Sequence, residues 1–336
     1  MSDGSDFKMP RRHPITNELS GKMAGRRTFH GKFPGVKILG SLLVVLISVL
    51  GCHNSAQEME PRAYSRAPVG TQFVLLTYGY QTGDVLTDAS LPLKDVKVKL
   101  HSSVLGYGRT FSLAGRQASL ALAMPYVKGN VTGVVFEQAQ QVTRSGLGDV
   151  RLRFAINLKG SPAMSAKEFA AYKPRTTVGA SVTVVAPTGQ YDPVRLVNIS
   201  SHRWAFKPEV GLSKPIRRWT LETAGGAWFF TENSNFFGGV RRGQQPLLSI
   251  QGDVIYTLRR RMWLSFNGTY YRGGQTIVNG KINADRQANS RIGATYSLPL
   301  NQRQSLKVAW AKGLTTRFGG SLNTILVGWQ YTWVKR

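Results

Sequence analysis

The segment Thr324–Arg336, TILVGWQYTWVKR, decides the fold. Ile325, Val327, Trp329, Tyr331 and Trp333 form one alternating set; Thr324, Leu326, Gly328, Gln330 and Thr332 form the other. Successive side chains of a strand point to opposite faces. One face of this segment is therefore wholly apolar or aromatic, and the other is mostly small and polar. A soluble sheet resting on a core shows the same pattern, so the rest of the chain has to say which face meets which solvent.

Working back along the 336 residues, the same alternation recurs without a convincing helix. It predicts strands near 72–81, 96–112, 116–126, 148–158, 175–186, 202–213, 218–231, 246–258, 261–272, 288–298, 303–313 and 322–334. In 148–158, Val150, Leu152, Phe154, Ile156 and Leu158 oppose Asp149, Arg151, Arg153, Ala155 and Asn157. In 202–213, Trp204, Phe206, Val210 and Leu212 oppose Arg203, Lys207 and Glu209. Each segment is about the 9–11 residues that a tilted membrane-spanning strand needs, or a little longer.

Two further patterns separate a membrane barrel from a sandwich. Connections after odd-numbered strands are long (82–95, 127–147, 187–201, 232–245, 273–287, 314–321). Those after even-numbered strands are short, apart from 159–174. Outer-membrane barrels sort their loops this way, with tight periplasmic turns and long external loops. With the first strand running outward, Trp219, Tyr256, Tyr296, Tyr331 and Trp333 gather at the periplasmic ends of the apolar face. Tyr80, Trp204, Phe229 and Tyr270 gather at the outer ends. Two aromatic girdles are what headgroup-level amphipathic rings produce. The fold class expected is all-β: a transmembrane antiparallel up-and-down β-barrel of about 12 strands, its greasy face outside.

The start of the chain agrees with export. Ile38–Gly51 is a short apolar run behind Lys22, Arg26, Arg27, Lys32 and Lys37, the pattern of a secretory signal. The basic region is long, which points to Met23 as the start. The single cysteine closes this run as SVLGC, which resembles a lipobox with Cys52 as the acylated residue; ordinary cleavage near Asn54–Ala56 fits equally. The division expected is a leader over 1–56, an irregular periplasmic lead-in over 57–71 and a barrel over 72–336. Partners are then outer-membrane lipid, a small-molecule solute, and the export and barrel-assembly machinery.

The net charge of +27 divides unevenly. Residues 1–56 hold 8 of the 44 basic and 3 of the 17 acidic residues, which leaves 36 basic against 14 acidic beyond them. An excess of this size can serve nucleic acid, but an exported chain does not meet it, and anionic lipid or anionic solutes fit better. On the face expected to line the bore stand Lys97, Lys99, Arg109, Arg151, Arg153, Arg203, Lys207, Arg291 and Lys307, against Asp149, Glu209, Glu222 and Asp253. Rings of Arg or Lys suit anion pores. Ion pairing within the bore, for instance among Arg203, Lys207 and Glu209, absorbs part of this charge and leaves a basic surplus.

No enzyme, cofactor or metal is expected. Apart from His202, the first residue of 202–213, His101 is the only histidine in a predicted strand, with Ser103 on the same face and no third orienting group; it reads as a solvated histidine of the bore. One cysteine and 5 histidines do not make a zinc site of the usual kind.

VAPTGQYDP (Val185–Pro193) and RWAFKPE (Arg203–Glu209) are joined by EPRAYSRAPVG (Glu60–Gly70), SGLGDVRLRF (Ser145–Phe154), AWFF (Ala227–Phe230), YYRGG (Tyr270–Gly274) and WQYTW (Trp329–Trp333). Together these stretches resemble the MetA-pathway phenol-degradation family over nearly all of the exported chain. The resemblance implies a bacterial outer-membrane channel for phenol-like or other hydrophobic aromatics, and no catalytic residues. In the PTGQYDP stretch, Pro187 ends a strand and Gly189 permits a turn; Tyr191 and Asp192 are placed either over the mouth as a constriction or in a rigid loop start. The functions to weigh are a channel, a lipid-modifying barrel enzyme and a lipid-anchored ligand-binding β-protein.

Overall fold

A computed structural model describes residues 61–86, 93–135, 138–195 and 197–334; the leader expected over 1–56, with Cys52, lies outside them. The strands are β1 Thr71–Leu86, β2 Leu93–Leu113, β3 Arg116–Val135, β4 Gln138–Leu147, β5 Val150–Lys159, β6 Thr177–Ala186, β7 Ala205–Ile216, β8 Trp219–Phe230, β9 Asn233–Phe236, β10 Val240–Gln244, β11 Leu247–Arg259, β12 Met262–Gly273, β13 Thr276–Val278, β14 Lys281–Ile282, β15 Gln287–Pro299, β16 Gln304–Thr315 and β17 Gly319–Val334. One short helix, α1 (Ala166–Ala171), sits between β5 and β6 with Ser165 and Glu168 in a capping box. No helix among the described residues is long and apolar enough to cross a membrane.

Neighbouring strands pair antiparallel in chain order, and β1 pairs with β17 from Thr71↔Val334 to Leu86↔Gly319, which closes the cylinder. β4 and β5 both pair with β3 and act as one wall strand broken at Gly148–Asp149. The closed barrel therefore has 12 strands. Closure leaves no strand edge in hydrocarbon, where an unpaired backbone group costs several kcal/mol. β9, β10, β13 and β14 make a separate small sheet over the loop end.

The outer wall is apolar. Leu76, Leu105, Val210, Ile250, Phe266 and Ile325 are each more than half exposed or nearly so, while Ser265, Thr324 and Asn267, on the alternate faces, are buried in the bore. From Trp333 to Ile325 the apolar face runs for about 27 Å along the strand, and tilt reduces this to roughly 20 Å of height. Most turns at the opposite end from the long loops are tight. Ala114 and Gly115 take φ of 49° and 70°, the backbone a two-residue hairpin requires.

Two expectations need correcting. The stretch 127–147 is not a loop: β3 runs on to Val135 and β4 begins at Gln138, so this hairpin carries the wall beyond the membrane. The inward face there is apolar rather than charged. Val85, Val96, Val98, Val131 and Leu322 pack together inside, with Val197 from the β6–β7 connection added to them. That core turns Lys97 and Lys99 outward, and Arg109 likewise shares the exposed face of Leu105 and Tyr107. Alternation alone assigned charge to the bore, a rule that fails where a strand leaves the hydrocarbon layer and its exterior becomes polar.

The orientation has a measurable consequence. Val327→Arg, on the lipid face, is expected to lower folding stability in bilayers by about 2–4 kcal/mol. Gln251→Arg, inside the bore beside Asp253, is expected to cost markedly less. Denaturant titration in vesicles reads both; equal losses would contradict the assignment of faces.

Candidate functional site

The interior is organised in three levels. At the turn end, residues 61–70 enter the bore before β1 begins. Gly179 and Gly211 stand opposite each other on β6 and β7, and the missing side chains leave a groove that the Tyr64 ring fills. A Cβ on Gly211 would lie 2.1 Å from Tyr64 Cε2, and one on Gly179 2.2 Å from Tyr64 Cδ1. The Tyr64 hydroxyl donates to Glu209 Oε1 at 2.9 Å and lies 3.2 Å from Ser181 Oγ. Burial, with Glu209 adding to it, pushes the Tyr64 phenol up to about 12, so it remains a neutral donor at ordinary pH.

The rest of this segment is tied down residue by residue. Arg62 donates its backbone N–H to Glu222 Oε2 at 2.7 Å, and its guanidinium lies over the Trp263 ring at 5.0 Å. Ala67 N–H bonds Gln117 Oε1 at 3.0 Å, and Val69 N–H bonds the Met164 carbonyl at 2.8 Å. The last contact explains the one long connection at this end: residues 160–176, with α1, brace the entering segment instead of closing a tight turn.

Midway lies a cavity of about 290 Å³. Its lining has two characters. Phe73, Leu75, Val104, Ala121, Ala309 and Leu326 supply an apolar wall from β1, β2, β3, β16 and β17. Arg151, Arg153, Lys207, Glu209 and Asp253 supply a charged wall from β5, β7 and β11. Lys207 Nζ pairs with Glu209 Oε2 at 2.8 Å, and Arg153 reaches Glu209 Oε1 at 3.8 Å and Ser181 Oγ at 3.2 Å. Glu222 accepts from Ser213 Oγ at 2.7 Å, and Asp253 from Gln251 Nε2 at 2.9 Å. Lys307 lines the apolar side and has no ion pair or hydrogen bond among the described residues.

At the loop end the β6–β7 connection folds into the mouth. Asp149, at the break between β4 and β5, receives Gly189 N–H at 3.0 Å, Ser200 Oγ at 2.5 Å, Ser201 N–H at 3.1 Å and Ser201 Oγ at 3.2 Å. Arg144 Nε holds the Val197 carbonyl at 3.0 Å. Arg203 lies over the Phe230 ring at 4.4 Å and hydrogen-bonds Gln244, and Lys207 stands 5.7 Å from the Trp228 ring centre. A smaller cavity of about 70 Å³, lined by Arg144, Arg151, Asp149, Val197 and Arg203, lies under this connection.

Of the basic residues expected in the bore, Arg151, Arg153, Arg203, Lys207, Arg291 and Lys307 face inward, as do Asp149, Glu209, Glu222 and Asp253. Lys97, Lys99 and Arg109 do not. His101 is likewise outside, its Nδ1 2.7 Å from the Tyr78 hydroxyl, and Ser103 is exposed with it. The β6–β7 connection does narrow the mouth, but Val197 and not Tyr191 or Asp192 reaches the interior. Tyr191 stacks on His202 at 4.4 Å and donates to the Asn235 carbonyl, and Asp192 pairs with Arg195 at 2.8 Å. Reading the sequence missed Tyr64, Arg62 and Trp228. The signal for Tyr64 was present in two glycines on the inward face, in GASV and EVGLS, at positions where a wall residue is expected.

The sequence profile of the family described as MetA-pathway of phenol degradation matches residues 78–320. Among solved structures, the COG4313 outer membrane channel from Pseudomonas putida F1 shares the fold with a TM-score of 0.71 at 19% identity, over 82% of this chain and 100% of that one. Two looser likenesses carry no weight. One is a TodX monoaromatic hydrocarbon channel mutant (TM-score 0.49, 10% identity, 84% of this chain and 94% of that one). The other is the KdgM porin (TM-score 0.41, 9% identity, 77% of this chain and 99% of that one). No curated protein is significantly similar in sequence.

Gly211→Val places a branched side chain where the Tyr64 ring sits. The expected outcome is a barrel that still shows the heat-dependent gel shift, together with single-channel conductance above that of the wild type. Unchanged conductance would mean that residues 61–70 do not limit the path.

Proposed function

Because the chain belongs to the MetA-pathway of phenol degradation family, whose profile spans most of it, we propose that this outer-membrane barrel is a channel for small solutes that join a flat apolar body to an anionic or strongly polar group. The observation that carries this reading is the two-sided cavity. Phe73, Leu75, Val104 and Leu326 offer a surface to hydrocarbon, and Arg151, Arg153 and Lys207 stand across from them. Aromatic carboxylates and phenolates have that shape and charge, with phenol-like neutral compounds as the weaker-binding relatives.

Charge bookkeeping supports an anionic preference of moderate strength. Six of the expected cations and all four expected acids face inward, and Glu209 is shared by Lys207, Arg153 and Tyr64. Six cations stand against four acids, and Lys307, which has no ion pair among the described residues, carries part of the surplus. Rings of cations in a low-dielectric bore raise the local concentration of anions.

A lipid-modifying enzyme finds less support: the one hydrogen bond of the His101 ring among the described residues is to the Tyr78 hydroxyl, and none joins it to Ser103. The lipid-anchored reading rests on Cys52 alone. We read the family's name as pointing to aromatic uptake rather than to chemistry on the ring.

Planar-bilayer recording across a salt gradient tests the proposal. A reversal potential of anionic sign is expected, moving toward zero in Lys207→Gln/Lys307→Gln, with benzoate permeating faster than a neutral sugar of equal size. Cation preference in the wild type, or no conductance at all, would refute it.

A further inference from the structure

Lys97 and Lys99 were expected inside and stand outside, and that placement raises the question of what they meet. β2 cannot turn them inward, because Val96, Val98 and Leu100 occupy the interior at 3%, 1% and 5% exposure. The pairing of β1, β2 and β3 lays the outer wall out in rows. Leu76, Leu105 and Met124 form one row; Tyr78, Ser103 and Tyr126 the next; then Tyr80, His101 and Lys128; then Thr82, Lys99 and Asn130; then Asp84, Lys97 and Thr132. Read toward the loop end, the wall passes from hydrocarbon side chains to aromatic rings and then to cations.

The rows are spaced by two residues, about 6.6 Å along the strand and roughly 5 Å in height once tilt is included. Lys128 therefore lies at the level of the Tyr80 ring, Lys99 about 5 Å beyond it and Lys97 about 10 Å beyond it, which is headgroup depth. All three are exposed. Asp84 and Asp95 are the nearest acids by register and sequence, yet none of the ion pairs among the described residues uses Lys97, Lys99 or Lys128. The His101 ring is held beside them by Tyr78 and by contact with Tyr80 at 5.0 Å. An ammonium group on a flexible stem binds phosphate as a point charge and does not require a fixed fork geometry.

We propose that this face of β1–β3 is a binding surface for the phosphate groups of the phosphorylated glycolipid that fills the outer leaflet. Its acyl chains lie on Leu76, Leu105 and Met124, its sugar stands against Tyr78 and Tyr126, and its phosphates are reached by Lys128, Lys99 and Lys97. The surface is independent of the bore and of what the bore conducts.

Native mass spectrometry of the full chain in a neutral detergent tests it, with diphosphorylated lipid A and its dephosphorylated form as probes. The wild type is expected to prefer the diphosphorylated form by about tenfold or more, and Lys97→Gln/Lys99→Gln/Lys128→Gln to lose about tenfold in that affinity while keeping the heat-dependent gel shift. Lys214→Gln/Arg259→Gln/Arg260→Gln, with the same change in charge at the turn end, is expected to bind as the wild type does. Equal binding of the two lipids by the wild type would overturn the proposal without reference to any variant. So would retention of full affinity by the first triple variant, or an equal loss in the second.

Discussion

Hydrocarbon offers a peptide group no hydrogen-bond partner, and the architecture follows from that single restriction. Each N–H and C=O at membrane depth has to be satisfied by a neighbouring strand, so the first and last strands must meet. The continuous pairing of β1 with β17, Thr71↔Val334 through Leu86↔Gly319, is the seam that makes this possible. Once the cylinder is closed, alternation sorts every side chain to lipid or to bore. The charge of the chain is then confined to the interior, the rims and the loops.

Confining charge to a narrow interior creates a second demand. Buried ions need partners, and this barrel supplies them partly from its own N-terminal segment. Glu209 is shared among Lys207, Arg153 and Tyr64, while Glu222 is met by Ser213 and by the backbone of Arg62. The plug at the turn end is thus held by the groups that give the bore its polarity. Asp149 does the equivalent work at the other end, where four donors from the β6–β7 connection converge on one carboxylate. The cavity of about 290 Å³ lies between the two closures.

Much of this was legible in the residues. The twelve spanning segments, the sidedness of the loops and the outward face of WQYTW follow from period-two patterning, and the structure agrees with each to within a few residues in most cases. The failures share a physical cause. Patterning reports which face is apolar but not which solvent wets the other, so β2 was read by one rule along its whole length. Beyond the hydrocarbon layer its valines turn in and Lys97 and Lys99 turn out, reversing the rule that holds for Arg151 and Arg153. The filling of the bore by Tyr64 was hidden because it depends on contacts between residues more than a hundred positions apart, and only the glycine pair at 179 and 211 hinted at a space to be filled. For a similar reason the sequence left Tyr191 and Asp192 between a constriction and a loop start: the anchor of this connection, Asp149, lies far from it in the chain, at the break between β4 and β5.

The inside-out distribution of apolar surface is the central claim, and the tryptophans report on it directly. Trp204, Trp219, Trp310, Trp329 and Trp333 lie on the outward faces of their strands or beside them, whereas Trp228 and Trp263 are buried in the bore at 1% and 5% exposure. Single-tryptophan variants retaining only Trp310 or only Trp228 can be folded into vesicles whose acyl chains carry bromine. Strong quenching of Trp310 with little effect on Trp228 is the result predicted. Equal quenching of the two, or quenching of Trp228 alone, would contradict the account.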